Sequence, residues 1–324
     1  ELTQRVHGED NGIIWARSAY AGSQRYPVHW AGDTDSDFPA MASTLKGGLS
    51  FGLSGFPFWS HDIGGYFMTP NDDCYIRWMQ LGMFSSHARF HGTSPREPWH
   101  FGEKAIEVYK KFAEIRYKLI PYIYSEAYHS TQKSIPLMRP LVLAYEEDPN
   151  VENIDDQYLF GSNILAAPIL TENNTRRVYL PAGEWLDFWT KEKYQGQQWI
   201  EYTSDLDEMP LFIKNGSIIP TGPMMQYIGE KEFSPLTLNI YHDHEEEYEY
   251  YDDNQQFSVK CKEQDGLINI EISSTQQEFI IKLYTDKDIS EIKIGEEEIN
   301  FESQDNYISF KCKVKGAKTD ITIG

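Results

Sequence analysis

The sequence predicts an α/β domain followed by all-β domains: half of a (β/α)8 (TIM) barrel, then two β-sandwich domains. Up to about residue 135, short apolar runs alternate with helix-like segments, and polar residues cluster where each run ends. From Leu137 onward the pattern changes to short strands separated by turn residues. These observations divide the chain into a half-barrel at 1–135, a proximal β-domain at 136–232 and a distal β-domain at 233–324.

Four apolar runs in the first region are typical of buried parallel strands. They lie in "NGIIWARSA", "YPVHWAGD", "FPFWSHDIGG" and "SSHARFHG", with helix-like segments between them. The longest amphipathic helical pattern, "EKAIEVYKKFAEIRYKLIPYIYSEAYHSTQK", follows the fourth run. Four such units make half a barrel, which would leave two sheet edges open. We therefore expect further polypeptide to complete it.

The later regions contain alternating runs that predict antiparallel strands. The proximal region has "RRVYLPAGEWLDFW" and "MPLFIKNGSIIP", and the distal region has "LTLNIY", "LINIEISS", "EFIIKLYT" and "YISFKCKV". The charge run "HDHEEEYEYYDDNQ" lies between the first two of these distal strands. It is typical of a solvated loop or an edge strand that resists association. A calcium site there is the alternative.

Composition excludes some classes of partner. The formal net charge is −21, which disfavours a nucleic-acid or anionic-membrane surface and is compatible with a neutral sugar. No apolar run approaches the roughly 18–20 residues of a membrane span. Cys74, Cys261 and Cys312 are too few and too scattered for a disulfide framework or a zinc site. We expect free thiols, with a Cys261–Cys312 pair as the alternative.

The stretch "QRYPVHWAGDTDSDFPAM" contains three aspartates after a strand-like run. Asp37 or Ser36 precedes a proline in the first turn of a helix and is a natural N-cap, and Asp35 shapes the turn. Asp33 leaves the strand tip beside Trp30, where packing against the indole would raise the carboxyl pKa and keep it protonated. A protonated carboxyl at a strand end suits a general acid. An ordinary turn aspartate is the alternative.

Three spaced motifs together carry a family resemblance. The order "ARSAYAGSQRYPVHWAGD", "GGLSFGLSGFPFWSHDIGGY" and "RWMQLGMFSSHARFHGT" is similar to the second half of the catalytic barrel in family 31 glycoside hydrolases, especially bacterial α-xylosidases and their α-glucosidase relatives. The resemblance is strong over residues 1–135 and weaker through the two β-domains. It implies that Asp33, which closes "WAGD", is the general acid/base.

The same resemblance implies a sugar-binding wall around Asp33. It places there Arg17 of Ala-Arg-Ser, Asp62 of Asp-Ile-Gly-Gly, the following aromatic Tyr66, and His91 at the end of the fourth strand. Aromatic side chains at strand tips often form the apolar floor under a sugar ring, which suggests Trp30, Phe58 and Trp59 as that floor. Each of these residues also has an alternative role in the core. We further expect Asp62 to pair with Arg89, and His61 and His87 to be core histidines.

The implied activity is that of a retaining exo-acting α-glycosidase that hydrolyses terminal α-linked xylose or glucose from oligosaccharides, with no metal or cofactor. The nucleophilic Asp of this family lies on an earlier strand, and no such motif precedes "ARSA". The expected partner is therefore the N-terminal portion of the same enzyme. "GFPFWSHDIGGY" favours an α-xyloside, with an α-glucoside as the alternative.

Two other interpretations are open. The two β-domains are compatible with a carbohydrate-binding or assembly module without turnover, and the open half-barrel is compatible with a fragment that folds poorly alone. A homo-oligomer is left open, as is the choice between cytoplasm and periplasm.

Overall fold

The computed structural model describes residues 2–8, 12–26, 28–273, 277–304, 306–314 and 318–324. The chain divides into two compact units. The first comprises Glu1–Ala113, His129–Pro181 and Gln197–Leu211, and the second comprises Glu114–Tyr128, Ala182–Gly196 and Phe212–Gly324. The domain boundaries at 135 and 232 stay a prediction.

Helices lie in the first part of the chain, and strands occur throughout. The helices are α1 (Leu2–His7), α2 (Phe38–Leu53), α3 (Asp72–Met83), α4 (Gly102–Lys118), α5 (Ile120–Lys133) and α6 (Leu141–Ala144). The strands before residue 205 are β1 (Trp15–Ala16), β2 (Val28–Trp30), β3 (Phe58–Ser60), β4 (Met138–Pro140), β5 (Tyr158–Phe160), β6 (Ile164–Ala166), β7 (Thr175–Leu180), β8 (Glu184–Asp187), β9 (Lys193–Gln195) and β10 (Gln198–Thr203). The later strands are β11 (Leu211–Lys214), β12 (Ser217–Thr221), β13 (Leu236–Tyr241), β14 (Glu245–Asp252), β15 (Gln255–Gln264), β16 (Leu267–Ser273), β17 (Glu278–Tyr284), β18 (Ile292–Ile294), β19 (Glu297–Glu298), β20 (Glu302–Gln304), β21 (Tyr307–Lys313) and β22 (Lys318–Ile323).

A parallel sheet in the order β1-β2-β3 forms the centre of the site region. Helix α2 connects β2 to β3, and α3 follows β3, as the strand–helix alternation predicts. Asp37 is the N-cap of α2, since its Oδ1 accepts a hydrogen bond from the amide of Ala40 at 2.8 Å. The predicted start of this helix is therefore confirmed at Asp37. Ser36 instead donates its hydroxyl to the carbonyl of Phe67.

The fourth predicted strand is present only as a single parallel bridge between Asp62 and Arg89. The expectation of a full strand in "SSHARFHG" is wrong in this respect. Among the described residues, no further strand of this sheet follows Arg89. The edge of the sheet beyond Arg89 therefore has no neighbouring strand to pair with.

The longest predicted helical pattern is split into α4 and α5. Helix α5 begins at Ile120, and Pro121 is its second residue. A proline lacks the amide hydrogen that a continuing helix would need, but it is well accommodated in a first turn. The break therefore follows from the sequence.

Sheets dominate the rest of both units. In the first unit β4-β5-β6 are antiparallel neighbours and β7 pairs with β10. The second unit has a five-stranded sheet in the order β12-β13-β17-β21-β20 and a six-stranded sheet in the order β14-β15-β16-β22-β18-β19. Cys261 and Cys312 are buried free thiols on β15 and β21, which belong to different sheets, so the expectation of free thiols is confirmed. None of the helices in the described ranges is long and apolar enough to cross a bilayer.

Candidate active site

The carboxyl ends of β1, β2 and β3 bring the predicted site residues to one edge of the sheet. Arg17 follows β1 directly, Asp33 lies three residues beyond β2, and Asp62 lies two residues beyond β3. Because the strands are parallel, these ends meet at the same edge, which is where barrels of this type build their sites.

Arg17 and Asp33 form an ion pair at this edge. Arg17 Nη1 lies 3.2 Å from Asp33 Oδ2, and the two side chains are 58% and 27% exposed. Gly32 has φ of 84°, and a Cβ at this position would lie 2.7 Å from Arg17 Nε. The pair therefore depends on a glycine at position 32, both for its backbone conformation and for the passage of the guanidinium.

The surroundings of Asp33 differ from the sequence expectation. That expectation placed the carboxyl against the apolar indole of Trp30. In the structure the guanidinium of Arg17 also lies beside it and stands 5.8 Å from the centre of the Trp30 ring. The predicted apolar environment is incomplete, because a cation shares the strand tip with the carboxylate.

Asp62 and Arg89 form the pair that the sequence predicted. Arg89 Nε donates to Asp62 Oδ1 at 2.5 Å, and the side chain of Asp62 is fully buried. Burial raises the pKa of Asp62 above its ordinary value, and the hydrogen bond from Arg89 opposes that shift. The second oxygen, Oδ2, is buried and has no hydrogen-bond partner among the described residues. One oxygen is thus fixed by Arg89, and the other is a buried acceptor that the described residues leave unused.

Arg89 also connects Asp62 to the aromatic side chains of the other strands. Its guanidinium carbon lies 4.2 Å from the centre of the Trp30 ring and 4.7 Å from that of Trp15. A guanidinium between two indoles gains cation–π attraction on both sides. The orientation of Asp62 is therefore coupled to the aromatic wall.

A cavity of about 630 Å³ opens beside this edge. It brings together four of the eight predicted site residues, namely Arg17, Trp30, Asp33 and Trp59. The other side chains of its lining include Phe51 and Phe67, which the sequence did not single out.

The other four predicted residues do not line this cavity; they are Phe58, Asp62, Tyr66 and His91. Phe58 is the neighbour of Trp59 on β3, and successive side chains of a strand point to opposite faces. Tyr66 and His91 lie together, with ring centres 5.4 Å apart. Asp33 and His91 both contribute to the electrostatic environment of Asp62, so Asp62 and His91 lie close to the cavity that Asp33 lines. The roles of all eight residues stay a prediction.

Arg96 shapes the loop after Asp62, and no pattern in the sequence pointed to it. It is buried, and it donates hydrogen bonds to the carbonyls of Gly65 at 3.1 Å and Met68 at 2.9 Å. It also donates to the hydroxyl of Ser36 at 3.2 Å. Its context, "SPREPW", is an ordinary Pro-rich loop, and only the fold brings it under the loop that carries Tyr66.

His61 is a core histidine, as predicted. Trp78 Nε1 donates to His61 Nδ1 at 2.9 Å, and His61 Nε2 lies 3.1 Å from Ser85 Oγ. Burial lowers the pKa of His61 from 6.5 to about 3. His87 is only half-buried, and it contacts the ring of Trp15 edge-on with centres 4.9 Å apart.

Comparison with known proteins identifies the family of this chain. The family models "Glycosyl hydrolases family 31 TIM-barrel domain" and "Glycosyl hydrolase family 31 C-terminal domain" match residues 1–126 and 134–219. The chain belongs to glycoside hydrolase family 31. The predicted family, and the prediction that part of its barrel precedes its C-terminal domain, are confirmed.

Individual family 31 relatives extend the similarity over nearly the whole chain. An α-xylosidase of Saccharolobus solfataricus is 35% identical over 97% of this chain, and α-glucosidase 2 of Bacillus thermoamyloliquefaciens is 37% identical over 75% of it. The structure of a GH31 dextranase of Flavobacterium johnsoniae in complex with glucose is 30% identical and superposes on 99% of this chain with a TM-score of 0.91. The chain spans 42%, 32% and 47% of these three proteins, which is less than half of each.

Proposed function

We propose that this chain is the C-terminal part of a retaining exo-acting α-glycosidase that releases terminal α-linked xylose or glucose from oligosaccharides. The observation that carries the proposal is the position of Asp33, which shares a cavity with Arg17 and Trp30 at the carboxyl edge of the parallel sheet. A concave site with apolar walls and a few polar groups is typical of small-molecule binding. The α-xylosidase and α-glucosidase relatives support the substrate class.

In this proposal Asp33 is the general acid/base. It protonates the glycosidic oxygen while a second carboxylate attacks the anomeric carbon, and it then activates water to release the sugar. Retaining enzymes hold the two carboxyl groups about 5–5.5 Å apart. We place the nucleophilic Asp in an N-terminal portion of the same enzyme, since the family motif does not precede β1 in this sequence.

The remaining predicted residues form the sugar subsite. Arg17 donates to hydroxyls from the side of Asp33, and the free Oδ2 of Asp62 accepts a hydroxyl hydrogen. Arg89 keeps Asp62 in the orientation that this requires. The proposed wall is completed by Trp30, Phe58, Trp59, Tyr66 and His91.

We also infer that residues 136–232 and 233–324 are two β-sandwich domains. The alternation of buried and exposed residues along β14 and β15 supports this, because it leaves one apolar face to be covered by another sheet. The buried runs of β5, β6 and β11 support a second apolar core before residue 232.

The replacement Asp33→Asn tests the acid/base role in the full-length protein. Because general acid–base catalysis contributes about 10²–10⁴-fold, we expect kcat to fall by that factor on natural disaccharides. Azide should restore turnover of substrates with activated leaving groups, since this anion attacks the covalent intermediate without a general base. The measurements are kcat on both substrate types with and without azide.

The matched control is Asp37→Ser, which removes a carboxylate four residues away and keeps an N-cap hydroxyl for α2. It should retain the wild-type kcat. Near-wild-type rates of Asp33→Asn on natural disaccharides would exclude Asp33 as the acid.

The choice of sugar is tested separately. We expect the nitrophenyl α-xyloside to be hydrolysed with the higher kcat/KM, because "GFPFWSHDIGGY" favours the xyloside. Parallel assays with the nitrophenyl α-glucoside measure the ratio. A higher kcat/KM for the glucoside would assign the enzyme to the α-glucosidases.

A further inference from the structure

A second cluster of reactive side chains lies in the second unit. His242 follows β13 directly, Glu246 lies in β14 and Cys261 lies in β15. Glu246 and Cys261 are direct partners in the antiparallel register, so their side chains lie on the same face of the sheet. All three residues are buried, with 7%, 2% and 0% of their surface exposed.

The separations of their polar atoms suit one small cation. His242 Nδ1 lies 2.9 Å from Glu246 Oε2 and 3.6 Å from Cys261 Sγ, and all three ligand atoms lie within 4.8 Å of one another. Tetrahedral zinc with ordinary bond lengths separates its nitrogen and sulfur ligands by about 3.6 Å and its nitrogen and oxygen ligands by about 3.4 Å. The nitrogen–sulfur distance already fits, and the carboxylate oxygen needs to withdraw by about 0.5 Å.

The outer contacts of the cluster also resemble those of metal sites. Asp243 donates its amide to Glu246 Oε1 at 2.5 Å, which leaves Oε2 for a metal. On the far side of the imidazole, His242 Nε2 is buried and makes no hydrogen bond among the described residues, and Glu263 Oε2 lies 3.6 Å from it. Lys287 holds the other oxygen of Glu263 at 2.6 Å. With zinc on Nδ1, the proton of the imidazole would lie on Nε2 and face this carboxylate, which is the kind of group that orients a ligating histidine.

The chemistry of the ligands selects the metal. Thiolate and imidazole ligands favour zinc, whereas calcium takes six to eight oxygens. The neighbouring glutamates of the charge run do not supply those oxygens, because they face outward and pair with lysines. Lys260 lies 3.0 Å from Glu247, and Lys262 lies 3.9 Å from Glu245. This arrangement favours the interpretation of the run as a solvated strand over the calcium alternative.

We propose that His242 Nδ1, Glu246 Oε2 and Cys261 Sγ bind one zinc ion, with water as the fourth ligand. The cation places a positive charge beside the buried carboxylate of Glu246. Binding replaces the S–H bond of Cys261 with a zinc–sulfur bond and releases the proton to solvent. The ion joins the end of β13 to β14 and β15.

Cobalt substitution tests the proposal on the reduced protein in its full natural length, after metal removal with a chelator. We expect one equivalent of Co²⁺ to produce a sulfur-to-cobalt charge-transfer band together with the strong visible bands of a tetrahedral site. Cys261→Ser should lose the charge-transfer band. The matched control Cys312→Ser, another buried free thiol of the same unit, should keep it.

A second variant addresses the outer contacts. Glu263→Gln should keep the cobalt spectrum and weaken zinc affinity by about 10–100-fold, measured by competition with a chromophoric chelator. Far-UV circular dichroism establishes that each variant is folded. If the wild-type protein shows no charge-transfer band with excess cobalt, or if the band persists in Cys261→Ser, the proposal is overturned whatever the folding of the variants.

Discussion

Arg89 links two parts of the candidate active site, because its guanidinium binds Asp62 and contacts Trp30 and Trp15 at the same time. A lysine could keep the charge, but it could not keep the planar contacts with both indoles. Arg17 is held differently, since it is mostly exposed and passes over Gly32. The site thus combines one partly buried arginine, fixed by Asp62, with one that is mostly exposed to solvent.

His61 should make stability depend on pH. Its pKa is lowered from 6.5 to about 3 in the folded chain, so only the unfolded chain binds this proton between those values. Stability is therefore fully present above the unfolded pKa and falls as pH decreases toward the folded pKa, by up to about 1.4 kcal/mol per pH unit. The measurement is the free energy of urea unfolding between about pH 7 and pH 4.

The variant His61→Gln should lose this contribution, so its stability should fall less steeply toward acid. His100→Gln, at an exposed histidine, is the matched control and should keep the wild-type slope. Equal slopes in His61→Gln and the wild type would mean that burial of His61 does not control acid stability.

At the scale of residues, the sequence predicted the types and positions of the important side chains better than it predicted their surroundings. The N-cap Asp37 followed from a local pattern, and the Asp62–Arg89 pair and the core histidine His61 were also predicted. The pairing of Arg17 with Asp33 was missed, because the resemblance placed both residues at the sugar and the distance between them depends on the register of β1 and β2.

At the scale of elements, α2 approaches β3 so closely that only glycine fits at position 48. A Cβ on Gly48 would lie 2.1 Å from the ring of Trp59, whereas a Cβ on the adjacent Gly47 would meet nothing within 4 Å. Alanine usually stabilises a helix by about 1 kcal/mol relative to glycine. Two neighbouring glycines of one helix therefore have opposite sensitivities.

We expect Gly47→Ala to stabilise the protein by up to about 1 kcal/mol and Gly48→Ala to destabilise it by about 1–3 kcal/mol, because the rigid indole cannot give way. Urea unfolding midpoints of both variants measure the difference. Equal stabilisation by the two substitutions would show that α2 and Trp59 are not in close contact.

The order of strands and helices followed from periodicity, but this contact did not. Apolar spacing predicts which face of α2 is buried, and it does not predict the distance to the neighbouring strand. The reduction of the fourth strand to one bridge at Arg89 was missed for a related reason, since strand length depends on whether a neighbour is present to pair with it.

At the scale of the whole molecule, the chain carries one predicted catalytic carboxylate and spans less than half of each relative compared above. The family and its barrel could be predicted because several spaced motifs survive in order within residues 1–135. The second carboxylate cannot be assigned from these residues, because the family motif that would hold it is not part of the sequence.

The 324-residue chain expressed alone should therefore not hydrolyse glycosides. With Asp33 present but no nucleophile about 5–5.5 Å away, no covalent intermediate can form. We expect no release of nitrophenol from either nitrophenyl glycoside, and activity when the N-terminal portion is included. The nitrophenyl glycosides incubated without protein are the control for background hydrolysis. Turnover by the chain alone above that background would show that a carboxylate within these residues acts as the nucleophile.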